Sequence, residues 1–328
     1  MKRKALLIVI SLAALLWCAP HASAQEKEKN KLPKDNEIES GERMERSLAA
    51  TPNVFVTLCI TSGNVRVQGW DKPEVKVVAD SVNQLELQGS AAAPSQRVEV
   101  VISNSPKAGS EEPLVCDCRG VSDIEINVPR GATVDIKNRS GDIEVSQVAE
   151  ARINDMNGDL TLSNISRGVD AGTISGDISI TDSSGRIKLR TVGGDVEANN
   201  LRTVEAGDDF TAHSTSGDIT LENVAQPRLS ANTTSGIITM TGRLAPRGSY
   251  DFNTFSGDVI LKIPADSSFK LSARAQQGDI TTDFAIRSAS DEDSRNLLEG
   301  RRLTGTVGTG DASLTLQTFS GTVRLQKR

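Results

Sequence analysis

One short pattern recurs twelve times in this chain: a turn glycine followed by apolar residues two and, with one exception, four positions later. Four clear copies are residues 140–145 (SGDIEV), 175–180 (SGDISI), 216–221 (SGDITL) and 256–261 (SGDVIL). The glycines of the series are Gly63, Gly141, Gly158, Gly176, Gly185, Gly194, Gly217, Gly236, Gly257, Gly278, Gly310 and Gly321. Many steps between them span 17 to 23 residues. Such a period is typical of stacked-repeat proteins, in which no single unit can bury its own apolar face.

The residues around each glycine predict two strands that meet at a corner. Positions two and four after the glycine are apolar, with Thr282 as the exception, and position three is mostly polar. Before the glycine the apolar residues fall at odd offsets, as in Leu229 with Ala231 and Tyr250 with Phe252. This change of parity indicates a bend at the Ser-Gly step, where glycine can adopt a positive φ at little cost.

These observations predict an all-β fold, specifically a β-helix-like solenoid with coils of about 18–21 residues and Ser-Gly-Asp corners. Stacking would place Ile178, Ile219 and Val259 in one buried column, with like positions about 4.8 Å apart. An antiparallel meander of hairpins that uses the same turns is the alternative. The glycines expected at structural turns are Gly141, Gly158, Gly176, Gly194, Gly217, Gly236, Gly257, Gly278 and Gly321.

The first residues predict export. Lys2, Arg3 and Lys4 precede an apolar run over residues 5–19, and Ala22-Ser23-Ala24 fits signal-peptide cleavage. We therefore expect a signal peptide at 1–24, with lipidation at Cys18 as a rival interpretation. Residues 25–50 are charged and predict a disordered linker. Residues 51–130 predict an N-terminal β-strand region, and residues 131–328 the repeat solenoid.

Charge argues against nucleic acid as a partner. Signal removal takes three of the 37 basic residues and leaves 34 against 43 acidic residues, a net charge of −9. After cleavage no remaining stretch has the length and apolarity of a transmembrane segment. The partner expected instead is an envelope or surface ligand, either protein or glycan, and no cofactor is expected.

Three cysteines remain after signal removal: Cys59, Cys116 and Cys118. In an oxidising compartment, one disulfide from Cys59 to either Cys116 or Cys118 is expected. The Cys-Asp-Cys spacing also resembles half of a metal site, although no second pair accompanies it.

Acidic residues follow eight of the twelve glycines. Their carboxylates fit turn capping, in which each accepts backbone N–H groups at its own turn. The alternative is a calcium-binding carboxylate ladder, since calcium prefers oxygen ligands. Arg186 and Ile237 interrupt that row. The candidate ladder comprises Asp142, Asp159, Asp177, Asp195, Asp218, Asp258 and Asp279, with Asp311 as the eighth acid.

Catalytic patterns are poorly represented. His213 is the single histidine after the signal, and no nucleophile elbow, zinc-helix motif or phosphate loop occurs. Because β-helices can cleave polysaccharides with carboxylate pairs, such an enzyme remains an alternative. Trp70 is the only candidate platform for sugar stacking, and it fits a packed turn equally well.

Residues 63–71 (GNVRVQGWD), residues 124–132 (IEINVPRGA) and the Ser-Gly-Asp-Ile series resemble a family of exported bacterial β-strand-repeat proteins of unknown function labelled putative adhesin. The resemblance covers roughly residues 54–325 and brings no catalytic residues. It implies a non-enzymatic adhesin-like protein of the surface or envelope. A periplasmic structural or signalling-accessory module is the second interpretation.

Overall fold

The computed structural model of the protein describes residues 42–90, 93–103, 120–287 and 302–328. These residues form strands and turns without a helix, so the all-β prediction is confirmed. Sheet A contains β2 (Val65–Trp70), β3 (Glu74–Val82), β6 (Ile124–Pro129), β8 (Ile143–Ser146), β10 (Leu160–Ser163), β12 (Ile178–Thr181), β14 (Val196–Leu201), β16 (Ile219–Val224), β18 (Ile238–Thr241), β20 (Val259–Ile263), β22 (Ile280–Thr282) and β25 (Val323–Lys327). Sheet B contains β4 (Gln84–Gly89), β5 (Ser95–Ser103), β7 (Thr133–Lys137), β9 (Glu150–Asn154), β11 (Gly168–Gly172), β13 (Arg186–Arg190), β15 (Asp209–His213), β17 (Arg228–Ser235), β19 (Ser249–Ser256), β21 (Phe269–Gln277), β23 (Arg302–Val307) and β24 (Ala312–Ser320). The long strand β1 (Glu42–Cys59) takes part in both sheets: its residues to Ala49 pair in sheet A, and those from Ala50 pair in sheet B.

A sheet-B strand and the sheet-A strand that follows it form one rung, and successive rungs pair in parallel. Leu160 pairs with Ile143 on one side and with Ile178 on the other, and β11 lies between β9 and β13 in the same way. The alternative of an antiparallel meander is therefore wrong for the repeat. Parallel pairing with turns on every rung gives the long, parallel-dominated sheet pair expected of a solenoid-like fold.

The column predicted from the glycine register exists. Ile178, Val196, Ile219, Ile238 and Val259 pair in sequence along sheet A, and none is more than 1% exposed. They belong to one apolar cluster that runs from Ala50 to Leu325. Each fully buried aliphatic side chain contributes about 1.5–3 kcal/mol before ordering entropy is subtracted. Neighbouring rungs therefore supply the interior that no rung has alone.

The rungs at both ends do not follow chain order. Strand β2 lies between β6 and β8, so the first rung of the chain is second in the stack. At the other end, β24 pairs with β19 and β21, and β25 pairs with β20 and β22. Antiparallel strands then cover the ladder ends: β3 on β6, β4 on β5 and β23 on β21. Covered edges protect a long parallel sheet against pairing with other chains.

The corner from sheet A back to sheet B uses a left-handed residue. Asn164, Asp182, Asn200 and Asn223 have φ between 49° and 54° on four consecutive rungs, and Gln147 has a φ of 58° on the rung before them. Asparagine and aspartate tolerate this conformation better than other side chains that carry a Cβ. This explains why short amide and acid residues recur at the second turn.

Two predicted boundaries differ from the structure. The linker was expected to reach residue 50, whereas β1 begins at Glu42 and its residues to Ala49 pair antiparallel with β3. This part of β1 was not predicted as a strand, because its side chains are mostly exposed and charged. The boundary at residue 130 also does not divide the stack, since β1 pairs directly with β7. The signal peptide, Cys18 and residues 25–41 lie outside the described residues.

Candidate functional site

The glycine corner is the most regular surface feature of the described residues. On nine rungs, a Cβ placed on the corner glycine would lie 1.9–2.3 Å from the carbonyl oxygen of the corner glycine on the adjacent rung. These nine are the turn glycines expected from the sequence: Gly141, Gly158, Gly176, Gly194, Gly217, Gly236, Gly257, Gly278 and Gly321. Only glycine allows two corner backbones to approach so closely.

Close approach, rather than a positive φ, is the requirement that all nine share. Gly141 has a φ of 121° and Gly176 a φ of 156°, whereas Gly194 and Gly217 have no φ in the left-handed region. The expectation of a left-handed corner therefore holds for part of the column only. Gly185 contacts Arg167 and lies at the opposite corner, which explains the two half-length steps in the glycine series.

A carboxylate ladder follows the glycine column. The Oδ1 atom of Asp159 accepts the backbone N–H of Asp177 at 2.9 Å, and Asp177 accepts that of Asp195 at 2.8 Å. The same bond joins Asp142 to the N–H of Asp159 and Asp195 to that of Asp218. The capping interpretation placed each bond within its own turn. The bond instead crosses to the next rung, because the corner N–H groups point along the stack.

The ladder is continuous only in part. Ile237 donates its backbone N–H to Asp218, and Thr322 donates its own to Asp258. Neither residue carries a carboxylate that could accept the N–H of the rung beyond it. Asp258 also forms an ion pair with Arg324 at 3.2 Å. Asp279 follows the last glycine of the column, and Asp311 lies outside the column beside Ser268.

The calcium-binding alternative depends on how these carboxylates are arranged. Within the described residues, no group of three or more His, Cys, Asp or Glu side chains is arranged to hold a metal ion. Carboxylates on adjacent rungs, about 5 Å apart, repel by roughly 0.8 kcal/mol even at the dielectric constant of water. The exposed carboxylates Asp142, Asp159, Asp177, Asp195 and Asp218 thus form a line of unneutralised negative charge.

A second, inner ladder of hydroxyl groups holds the same corner. Thr191 donates to the carbonyl of Gly176 at 3.0 Å, and Ser214 donates to that of Gly194 at 3.0 Å. Thr233, Thr254 and Thr318 make the corresponding bonds on later rungs. This ladder was not predicted from the sequence, although a hydroxyl residue recurs three positions before the glycine on these rungs.

Asp155 occupies that inner position on one rung. It is 6% exposed; its Oδ2 accepts a bond from Thr173 at 3.4 Å, and its Oδ1 has no hydrogen-bond partner. Burial raises the pKa of Asp155 to about 6, opposed by bonds from Met156 and Thr173 and aided by the nearby charge of Asp142. Asp155 is therefore a buried acid at a position where its equivalents on later rungs, such as Thr191 and Ser214, donate a hydroxyl proton.

An exposed apolar stripe lies two residues before the corner glycines. Met156, Ile174 and Val192 are 41%, 47% and 49% exposed on three consecutive rungs. Backbone bonds from Ser175 to Met156 and from Gly193 to Ile174 show that these positions stack in register. Further along the same corner, the rings of Phe255 and Phe319 stack in parallel at 4.7 Å. This exposed stripe was not predicted from the sequence, because apolar residues next to buried strands are expected to lie in the core.

The outer face of sheet B carries charges of alternating sign. Arg152 lies in register between Asp135 and Asp170. The hydrogen bond that Arg152 donates to Glu150 and the negative charge of Glu150, with smaller contributions from Asp135 and Asp170, raise the pKa of Arg152. Opposite charges across adjacent strands favour one register over others. A cleft of about 690 Å³ opens on this face beside Gly168. Its charged lining comprises Glu150, Arg152, Arg167, Asp170, Arg186, Lys188, Glu205 and Asp208.

The remaining candidates have structural surroundings. His213 is exposed at the end of β15. Trp70 is partly buried at the end of β2, where its Nε1 donates to the carbonyl of Glu74 at 2.9 Å and Lys72 lies 4.7 Å from its ring. Cys59 is disulfide-bonded, and because Cys116 and Cys118 lie outside the described residues, the choice between them stays a prediction.

Comparisons place the chain among known proteins. The sequence model of the Toastrack family, DUF4097, matches residues 62–326. No curated protein is significantly similar to the chain. Similar solved structures include a putative adhesin from Bacteroides fragilis, at 12% identity over 87% of this chain and 97% of that one, with a TM-score of 0.36. A putative adhesin from Parabacteroides merdae matches at 11% identity over 88% and 97%, with a TM-score of 0.35. At these values the likeness supports no inference about ligand or activity. The described residues also lack any helix that could cross a membrane.

Proposed function

The chain belongs to the Toastrack family, DUF4097, and from this premise we propose that it is an exported, non-enzymatic, adhesin-like protein of the cell surface or envelope. Its coils of about 18–21 residues turn at Ser-Gly-Asp corners and present long, regular outer faces. The observation that carries the proposal is the corner ladder, in which carboxylates such as Asp177 bond to the backbone of the next rung. Its repeated polar residues thus hold the stack together and leave the outer faces for binding.

Export is tested by isolating the protein from its native cells and sequencing its N-terminus. A chain that begins at Gln25 supports signal-peptide cleavage, and a lipid-modified Cys18 would support the rival interpretation. Protease treatment of intact cells then separates exposure at the surface from a location inside the envelope.

Adhesion is tested by deleting the gene and measuring attachment of the cells to surfaces. Reduced attachment supports the adhesin-like function. Intact attachment together with an altered envelope-stress response would instead support a periplasmic structural or signalling-accessory module.

The non-enzymatic part of the proposal is tested against a polysaccharide-acting β-helix enzyme. The purified protein is incubated with a panel of neutral and anionic polysaccharides. New reducing ends or unsaturated sugars would overturn the proposal, whereas unchanged polymers support it.

A further inference from the structure

An apolar line and an acidic line run side by side along three consecutive corners. Met156, Ile174 and Val192 each lie three residues before an exposed aspartate, with only the tight Gly turn between them. We call this the corner surface: Met156, Ile174 and Val192 together with Asp159, Asp177 and Asp195. Asp142 and Asp218 extend the acidic line by one rung at each end.

The carboxylates of the acidic line keep their negative charge. Each Oδ1 atom is used by the N–H of the next rung, and no ion pair within the described residues neutralises Asp142, Asp159, Asp177, Asp195 or Asp218. Asp258, by contrast, is paired with Arg324. Beyond the first end of the line, Asp123, Glu125 and Glu144 add further acids to the same face, with Arg66 pairing to Glu144.

The apolar line is equally unusual. Exposed aliphatic side chains scattered singly need no explanation, but three stacked in register with about half of their surface in water form a stripe. A core position would be buried, and a corner with a purely structural role could carry polar residues, as Thr215 and Thr234 do on the next two rungs of the same column.

We infer that the corner surface binds a basic amphipathic helix of a polypeptide partner. Such a helix has one apolar stripe and, beside it, a flank of lysine or arginine, which matches an apolar line with an acidic line next to it. Four rung spacings from Asp142 to Asp218 span about 19 Å, the length of a helix of about 13 residues. The inference deepens the proposed function by naming the chemistry of one partner.

The probe is a synthetic 18-residue peptide of leucine and lysine, with leucines spaced for one helical face. Two further peptides serve as references: the same residues in an order that abolishes the apolar face, and a leucine–glutamate version of the helix. Binding of each labelled peptide to the purified protein is measured by fluorescence anisotropy at low and high salt.

Two double variants separate the two lines. Ile174→Ser with Val192→Ser removes apolar surface, and Asp177→Asn with Asp195→Asn removes charge. Asparagine keeps the Oδ1 acceptor, as Asn64 shows by accepting the N–H of Asp142 at 3.0 Å. Control variants are Val204→Ser, which removes an apolar side chain that is 62% exposed elsewhere, and Glu222→Gln, which removes an exposed acid on sheet A.

We expect the leucine–lysine helix to bind the native protein, and each double variant to bind it about tenfold more weakly, while the controls bind as the native protein does. High salt should weaken binding to the native protein more than to the aspartate variant. Equal binding by the native protein and both double variants would overturn the inference. So would an absence of binding, or equal binding of the peptide without an apolar face. If the peptide binds as expected but cells that lack the gene attach normally, the adhesive function is rejected and the binding role of the corner surface is retained.

Discussion

Two adjacent glycines offer a sharp test of the stacked corner. In Gly194→Ala, the new Cβ would lie 1.9 Å from the carbonyl oxygen of Gly176 and 2.5 Å from its carbonyl carbon. In Gly193→Ala, the nearest atom is the carbonyl oxygen of Ile174 at 3.7 Å, an ordinary contact. The two substitutions add the same methyl group one residue apart, so their difference isolates the close approach.

The size of the effect follows from what must move. Ordinary contact begins at 3.4 Å, so the rung of Gly194 must shift by more than about 1 Å from its neighbour. That shift strains the bond from Asp195 N–H to Asp177 at 2.8 Å and the bond from Ser214 to the carbonyl of Gly194 at 3.0 Å. Overpacking costs about 1–3 kcal/mol and each lost bond about 1 kcal/mol, which gives about 3 kcal/mol or more.

The assay is urea unfolding followed by circular dichroism, with the midpoint and slope compared between the two variants. Gly193→Ala should be neutral or stabilising by up to about 1 kcal/mol, because it restricts the unfolded chain. If Gly194→Ala unfolds within 1 kcal/mol of Gly193→Ala at an unchanged slope, the corner backbones do not approach as described and the reasoning is refuted.

Three further predictions test other parts of the two corners. Because burial raises the pKa of Asp155 from 3.8 to about 6, its contribution to stability is present below pH 4 and is lost as the pH rises through 6. Asp155→Thr should remove that pH dependence and raise the free energy of unfolding above pH 6.5 by about 3 kcal/mol at most. The measurement is unfolding of both proteins across pH 4–8. An unaltered pH profile in the variant would contradict the raised pKa of Asp155. Asn164→Ala should destabilise the second corner by about 1 kcal/mol, whereas Asn164→Gly should be nearly neutral, because the φ of 54° disfavours a Cβ; equal midpoints for the two would argue against this geometry. Calcium titration should leave the melting temperature unchanged if the aspartates serve the backbone, and a rise of several degrees would restore the calcium ladder.

Several features could be predicted from residue order because they repeat. A glycine with apolar residues at fixed offsets places Ile178, Ile219 and Val259 in one column in any stacked arrangement. The nine corner glycines could be identified for the same reason. The cause assigned to them was incomplete, because close approach depends on the adjacent rung, which is 17 or more residues away in sequence.

Other features depend on which strands become neighbours. The end rungs could not be ordered, because β24 and β25 carry the same pattern as every other rung and nothing local says that they insert between β19–β20 and β21–β22. The corner surface was missed for a related reason. Ile174 and Val192 are apolar and flank buried strands, and only the stacked corner shows that they face water.

The sequence by itself determined the repeat, the parity of each strand and the residues that turn the chain, because these are local properties of spacing and backbone freedom. The tertiary structure decided which rungs are adjacent, which backbone the aspartates serve and which apolar side chains stay exposed. Those outcomes are set by contacts between residues far apart in the chain, and a short repeated pattern cannot distinguish among its own copies.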